Sequence, residues 1–191
     1  MNTDLPSAPI LTDRLSLRLF EASDFEAYAA YHSRAEVYRF LYTPVPSGRV
    51  LEDQFSAVLS APFNEDGDTL RLAVTRLEEP AVIGEALLKI ANKAALQAEM
   101  GYIFNPDYAG KGYATEAVQA VLRLGFQTYG FHRIFARLDP LNAGSVGVVE
   151  RLKMRREAHL LQNDRFDGNW GDEFIYAMLA SEFEARQSRT I

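Results

Sequence analysis

Along the chain, apolar positions recur with two different periods, and the alternation between them predicts a mixture of strands and helices. Leu15-Ser-Leu-Arg-Leu19 alternates at period two, as a half-buried strand does, and Ser23 and Asp24 then offer an N-cap for a helix through Tyr31. A second helix is expected from Arg49 to Leu59, beyond Pro44 and Pro46. Thr69 to Arg76 and Val82 to Ile90 read as strands joined by the turn Glu78-Glu-Pro80, with Gly84 marking a bulge or a close backbone approach. Gln97 to Phe104 is a further strand, ended by Asn105-Pro106-Asp107. Ala114 to Tyr129 carries apolar residues at Ala117, Val118, Val121, Leu122, Leu124 and Phe126, which predicts an amphipathic helix. Arg133 to Leu138 is a short strand, and Asn142 to Leu152 a helix with Val146, Val148, Val149 and Leu152 apolar. Two final strands flank Asp167-Gly168-Asn169, a hairpin signal. No repeat or linker interrupts this order, so residues 1–191 are expected to form a single domain with its core in about 10–183.

Composition narrows what such a domain can do. With 191 residues, 48% hydrophobic and 12% aromatic, the chain can bury a full core, which excludes a disordered or fibrous protein. The formal charge is −6, and Lys and Arg are scattered, which argues against nucleic acid or an anionic membrane and mildly favours cationic partners. There are no cysteines, hence no disulfide, thiolate nucleophile or cysteine-held metal. His32, His132 and His159 lack ligand spacing, so no metal site is expected, and His132 is expected to pack beside the strand that follows it. No apolar run approaches the ~18 residues of a spanning helix, and MNTDLPSAPILTDR has neither a basic start nor an apolar signal core. A cytoplasmic location is the resulting expectation.

The stretch Tyr108-Ala-Gly-Lys-Gly-Tyr-Ala-Thr-Glu-Ala117 sits between a predicted strand and a predicted helix. A helix N-terminus presents about four unpaired N–H groups and a partial positive charge, and glycine lets a phosphate approach the backbone closely. A plain turn with left-handed glycines is the competing reading. The Walker pattern GxxxxGK[ST] is absent, and Gly110-x-Gly112 is followed by Thr115 rather than the glycine of a dinucleotide fingerprint.

Four segments in order resemble the GNAT N-acetyltransferases, and within them the branch related to the ribosomal-protein N-terminal acetyltransferases. They are ILTDRLSLRLFEASDFEAY, AEMGYIFNPDYAGKGYATEAV, LNAGSVGVVERLKM and GNWGDEFIYAMLASEF, spanning Ile10 to Phe183. The resemblance implies an α/β (α+β) GNAT fold: a central, mostly antiparallel sheet with helices on both faces, opened between strands 97–104 and 133–138. It implies acetyl-CoA as co-substrate, its pyrophosphate held by the backbone at Gly110, Lys111, Gly112, Tyr113 and Ala114. The strand Met100 to Phe104, through Ile103 and Phe104, would pair with the pantetheine arm. Asn142 and Ser145 match the family's N-x-x-S, the asparagine ordering the cofactor arm or substrate and the serine hydroxyl lying near sulfur. Capping of the helix is an alternative for Asn142. Two departures stand out: Asp107 replaces the usual Gln or Arg of the loop, and Lys153-Met154 replaces Gly-Phe at a helix end. Lys153 in the left-handed conformation would cost roughly 1 kcal/mol or force another exit. Glu116, in the family's common E-A, is explained by a first-turn position alone.

Acetyl transfer sets the remaining requirements. An alkylamine has a pKa of about 10 and must lose a proton before it attacks a thioester, while the departing thiolate gains from a hydrogen-bond donor. Ser145 is the candidate donor. The base is either Asp164, nineteen positions after Ser145 where related enzymes carry a glutamate, or Glu99 on the strand beside the cofactor. Residues 31–46, the strand around Glu99 and the hairpin 162–170 are expected to build the acceptor groove, lined by Tyr38, Tyr42, Asp164, Asp167 and Trp170, with the chain a monomer or homodimer. The expected activity is transfer of acetyl to a primary amine by direct attack. A non-catalytic acyl-CoA-binding module of the same fold, or a domain that binds no cofactor, are the rival readings.

Overall fold

The structure, a computed structural model, describes residues 4–187. The period-two segments form one sheet of eight strands: β1 (Ile10–Leu11), β2 (Leu15–Leu19), β3 (Thr69–Arg76), β4 (Glu79–Asn92), β5 (Gln97–Phe104), β6 (Arg133–Leu138), β7 (Arg155–Phe166) and β8 (Asn169–Leu179). Their order is β1-β2-β3-β4-β5-β6-β8-β7. Every neighbouring pair is antiparallel except β5 with β6, the mixed and mostly antiparallel sheet that the sequence led us to expect. The helices are α1 (Phe25–His32), α2 (Ala35–Tyr38), α3 (Gly48–Leu59), α4 (Tyr113–Arg123), α5 (Ala143–Arg151) and α6 (Ala180–Gln187).

Alternation along the strands gives each face its own core. Leu70, Leu72 and Val74 of β3, with Ala86, Leu88 and Ile90 of β4, pack against Ala117, Val118 and Val121 of α4. On the opposite face Ala73 and Val82 meet Tyr28 and Tyr31 of α1 and Leu51 and Phe55 of α3. Each large aliphatic or aromatic side chain so buried contributes about 1.5–3 kcal/mol, and together they fix the sheet between two helical layers.

The parallel pair is short. β5 and β6 are joined only at Gln97↔Arg133, Ala98↔Ile134 and Glu99↔Phe135, although β5 continues to Phe104 and β6 to Leu138. Beyond Glu99 the two strands part, and the β6-facing backbone of Met100 to Phe104 has no ladder. Strand β4 pairs with β5 along this whole length, from Ile90↔Ala98 to Gly84↔Phe104, so only one edge is free. Gly84 is a close approach: a Cβ there would lie 2.6 Å from the Ile103 carbonyl.

Several local expectations are corrected. Asp24 makes no side-chain cap for α1; a 3₁₀ turn, Ala22–Asp24, precedes the helix, and the buried Asp24 carboxylate instead accepts from Glu21 N and pairs with Arg18 at 2.7 and 2.8 Å. Strand β4 starts at Glu79, so the turn is Leu77-Glu78 and Pro80 lies inside the irregular, exposed start of the strand. The predicted helix 114–129 is α4 followed by a π turn, Leu124–Thr128. The Asp167-Gly168 turn forms as expected, both residues left-handed at φ +48° and +79°.

Lys153 adopts the left-handed conformation that glycine would take, at φ +58°. Its N–H still closes on the Glu150 carbonyl at 2.9 Å, and Arg186 donates to the Leu152 and Lys153 carbonyls at 2.8 and 2.6 Å. These bonds satisfy the exposed helix end and hold the strained exit. Lys153→Gly should therefore raise stability by about 0.5–1 kcal/mol. A denaturant midpoint unchanged or lowered by that substitution would show that the lysine conformation carries no strain.

Candidate active site

A single cleft of about 1550 Å³ runs along the free edge of β5, from the loop before α4 to the space beneath α1, α2 and α3. At its first end the chain turns through Asn105, whose side chain accepts from Asp107 N at 3.1 Å and from Arg34 at 3.1 Å. Asp107 is held by Arg34 at 2.9 Å, so the acidic residue of the loop is neutralised by α2's N-cap residue. Gly110 and Gly112 follow, left-handed at φ +75° and +80°, and Gly112 is the N-cap of α4. The N–H groups of Tyr113, Ala114 and Thr115 begin the helix and have no partner earlier in it. Lys111 and Arg76 stand over the Tyr108 ring and Arg14 over Tyr113, with Arg14 paired to Glu116 and Arg76 to Glu79.

Glu116 does more than complement a helix dipole. Its Oε1 accepts from Thr12 Oγ1 at 2.7 Å and Arg14 N at 2.9 Å, and its Oε2 accepts from Arg14 Nε at 2.7 Å. Arg14 also donates to the Lys111 carbonyl at 3.0 Å. The β1–β2 turn is thereby tied to both the glycine loop and α4. Burial pushes the Glu116 carboxyl up, but the bonds from Thr12 and Arg14 outweigh it and leave it below the usual carboxylate range.

On the far wall, α5 starts at an Asn142 cap whose Oδ1 accepts from Ser145 N at 3.1 Å. That bond fixes the backbone of Ser145, which lines the cleft with Asn142, Ala143 and Gly144. Ile103, Phe104, Tyr113 and Ala114 also line it, as do Glu99 and Tyr38 at the acceptor end. Four residues expected in the groove, Tyr42, Asp164, Asp167 and Trp170, are not in its lining. Asp164 is half-buried on β7 opposite Gly171, Asp167 is in the exposed turn, and Trp170 is 59% exposed with Arg165 over its ring; none lines the cleft. Tyr42 is a clasp instead: its hydroxyl donates to Asp139 Oδ2 at 2.6 Å, and its ring packs where any side chain at Gly171 would overlap it. Burial and the Asp139 bond push the Tyr42 phenol up to about 12.

The sequence did not flag the buried polar set beneath α1. Glu85 on β4 is fully buried, 2.5 Å from Arg71 and 3.5 Å from His32 Nε2, while His32 Nδ1 lies 2.7 Å from Tyr38 Oη. Tyr28 stacks on His32 at 3.9 Å. With Nε2–H directed to the carboxylate, Nδ1 is free to accept from Tyr38. Burial, then the Glu85 charge, raises the Tyr38 phenol to about 12, so it stays protonated. Burial pushes Glu85 up as well, yet the His32 and Arg71 contacts prevail and its carboxyl lies below its ordinary value. Tyr28, His32, Tyr38 and Arg71 all line the cleft. The available signal was positional: Glu85 interrupts an otherwise apolar strand, on the face shared with Ala73 and Ile103.

A family model described as an acetyltransferase (GNAT) domain matches residues 14–155. The chain belongs to the GNAT acetyltransferases and is an acetyl-CoA-dependent N-acetyltransferase. It is 33% identical over 175 residues to the uncharacterized N-acetyltransferase YnaD of Bacillus subtilis, covering 91% of this chain and 98% of that one. It is 25% identical over 189 residues to the ribosomal protein uS5-alanine N-acetyltransferase of Escherichia coli, covering 95% of each. A solved GNAT-family acetyltransferase from Bacillus anthracis is similar at 31% identity and a TM-score of 0.82, over 91% of this chain and 99% of that one. The residues present fit such a co-substrate: paired left-handed glycines before free helix amides suit a pyrophosphate, and an unladdered strand edge suits an extended amide-bearing arm. Among the described residues no three His, Asp or Glu are arranged to hold a metal, and no helix is long and apolar enough to cross a membrane.

Two predictions follow from this geometry. Gly112→Val should weaken acetyl-CoA binding at least tenfold by calorimetry, because a β-branched residue resists φ +80° and moves the loop amides, while the core stays folded. Unchanged affinity in a folded variant would remove the loop from cofactor binding. Glu85→Gln should destabilise the protein by about 1–3 kcal/mol. Because the folded carboxyl is depressed, its contribution is complete above the unfolded value of about 4.3 and is lost as pH falls through the folded one. The variant should thus lose stability less steeply in acid, and parallel acid-unfolding curves would contradict the assignment.

Proposed function

We propose that the protein acetylates a cationic primary amine by direct attack of the neutral amine on acetyl-CoA, with Ser145 as donor to the leaving sulfur. What supports this most is the continuity of the cleft from the loop amides, past Ser145, to Glu99. The net charge of −6 favours approach of a cationic amine. Glu99 is the better placed base, since it lines the cleft at the last paired position of β5, where the free edge begins. It takes one proton from the ammonium, directly or through water, and the freed lone pair attacks the thioester carbonyl. The C–S electron pair leaves with sulfur, where the Ser145 hydroxyl stabilises the growing charge. Gly110 to Ala114 hold the pyrophosphate, and the backbone of Met100 to Phe104 holds the arm in register.

Both a peptide N-terminus and a small polyamine satisfy this chemistry. The E. coli relative acts on the alanine of a ribosomal protein, which makes a peptide N-terminus the first acceptor to try. The experiment is release of CoA across a panel of peptides with different N-terminal residues, polyamines and amino acids. Turnover with none of them would remove the proposal. With the best acceptor, Glu99→Gln should lower kcat about 10²-fold, flatten the acidic limb of the pH–rate profile and be partly rescued at high pH. Asp164→Asn should have the smaller effect. A normal profile for Glu99→Gln with a collapsed one for Asp164→Asn would move the role to β7.

A further inference from the structure

Tyr102, on β5, carries a hydroxyl that acetyl transfer as written does not use. Its Oη is buried and has no hydrogen-bond partner among the described residues, a state that is costly when left uncompensated. The side chain lies on the α4 and α5 face of the sheet and lines the cleft with Ser145, Val148 and Arg151. Burial raises the phenol pKa, and the Ser145 hydroxyl, followed by the Arg151 charge, pulls it back. Tyr102 and Ser145 thus line one cleft with no hydrogen bond closed between their hydroxyls. Asn142 holds the Ser145 backbone at 3.1 Å, so the direction of the serine hydroxyl is set by rotation of its side chain alone.

A serine hydroxyl has one proton and two lone pairs, and its rotor is otherwise undirected. Given acetyl transfer at this cleft, on which the assignment rests, we infer that Tyr102 is the positioning residue for Ser145. Its Oη–H donates to Ser145 Oγ, which turns the serine proton outward to the thioester sulfur. The second bond of this chain strengthens as charge grows on sulfur, and the first polarises with it. As the C–S bond breaks, its electron pair stays on sulfur and Ser145 shares its proton with that pair. The amine nitrogen gives up two protons in all: one ends on the thiol, the other is released. Ammonium and thioester thus become amide, thiol and one free proton.

The test uses Tyr102→Phe, Ser145→Ala and the double variant. First, the thiol of bound CoA is titrated by thiolate ultraviolet absorbance. It should ionise at lower pH than free CoA in the wild type, and each single variant should move it back toward the free value. Second, kcat for Tyr102→Phe should fall about tenfold with the acetyl-CoA KM within about twofold, and the double variant should match Ser145→Ala. Third, Tyr102→Phe without ligand should melt at or above the wild-type temperature, since it removes an unpartnered donor. A Tyr102→Phe protein that binds CoA and titrates as wild type does overturns this assignment alone, as does an effect additive to Ser145→Ala or a lowered melting temperature. Failure of the wild type to bind CoA overturns both this assignment and the acetyl-transfer reading.

Discussion

The three-rung parallel ladder between β5 and β6 is the constraint on which the rest of the structure depends. Backbone groups removed from water must be paired, and a strand edge left unpaired is ordinarily a liability. Here β6 keeps its full antiparallel ladder with β8, from Arg133↔Leu179 to Leu138↔Phe174, and β5 keeps its own with β4. Neither strand can drift, so their divergence after Glu99↔Phe135 opens a fixed gap rather than a loose one. The gap is long enough for an extended amide chain to supply the missing rungs. The same divergence brings opposite faces of β5 to one cleft, Glu99 from one side and Tyr102 from the other.

A gap alone would not hold a ligand without firm margins, and each margin is fixed by residues distant in sequence. The glycine loop has freedom by composition, but Glu116, Arg14 and Thr12 clamp it to the β1–β2 turn across about a hundred residues of chain. The segment after α2 is strained at Tyr42, φ +50°, and is secured through Asp139 and the space left by Gly171. Exposed ion pairs of this kind add little to stability individually. Their value is positional: free helix amides bind an anion well only if they point the same way before it arrives.

Most of the fold was legible because it follows from period. The period-two runs became strands with the expected faces, and Asp167-Gly168 gave its hairpin because those residues tolerate positive φ. The misreadings have one cause, which is that local chemistry underdetermines partners. Asp24 looks like a cap in sequence, yet Arg18, six residues earlier and on β2, claims its carboxylate. Asp164 and Trp170 lie on β7 and β8 beyond an irregular stretch, where two extra residues of β7 separate Leu160 from Asp164 and Gln162 is at φ +50°. Such an insertion leaves no mark on apolar periodicity. The loop glycines, by contrast, were readable, since left-handed backbone before a helix restricts residue type directly.

Two polar costs lie at the cleft. Glu85 is a carboxylate with no exposure, and a buried ion pair often contributes less than well-packed apolar side chains would. Tyr102, on the same cleft, has a buried hydroxyl with no hydrogen-bond partner among the described residues. The side chains that surround them on the two sheet faces are aliphatic or aromatic. A fold shaped by stability alone would have filled position 85 with an aliphatic residue, as at Leu87 and Leu88 beside it. Its carboxylate instead orients His32 and through it Tyr38, giving the acceptor wall a defined hydrogen-bonding pattern. A buried carboxylate kept at such a position, where an aliphatic side chain would fit, is the mark of a residue set by binding rather than by folding.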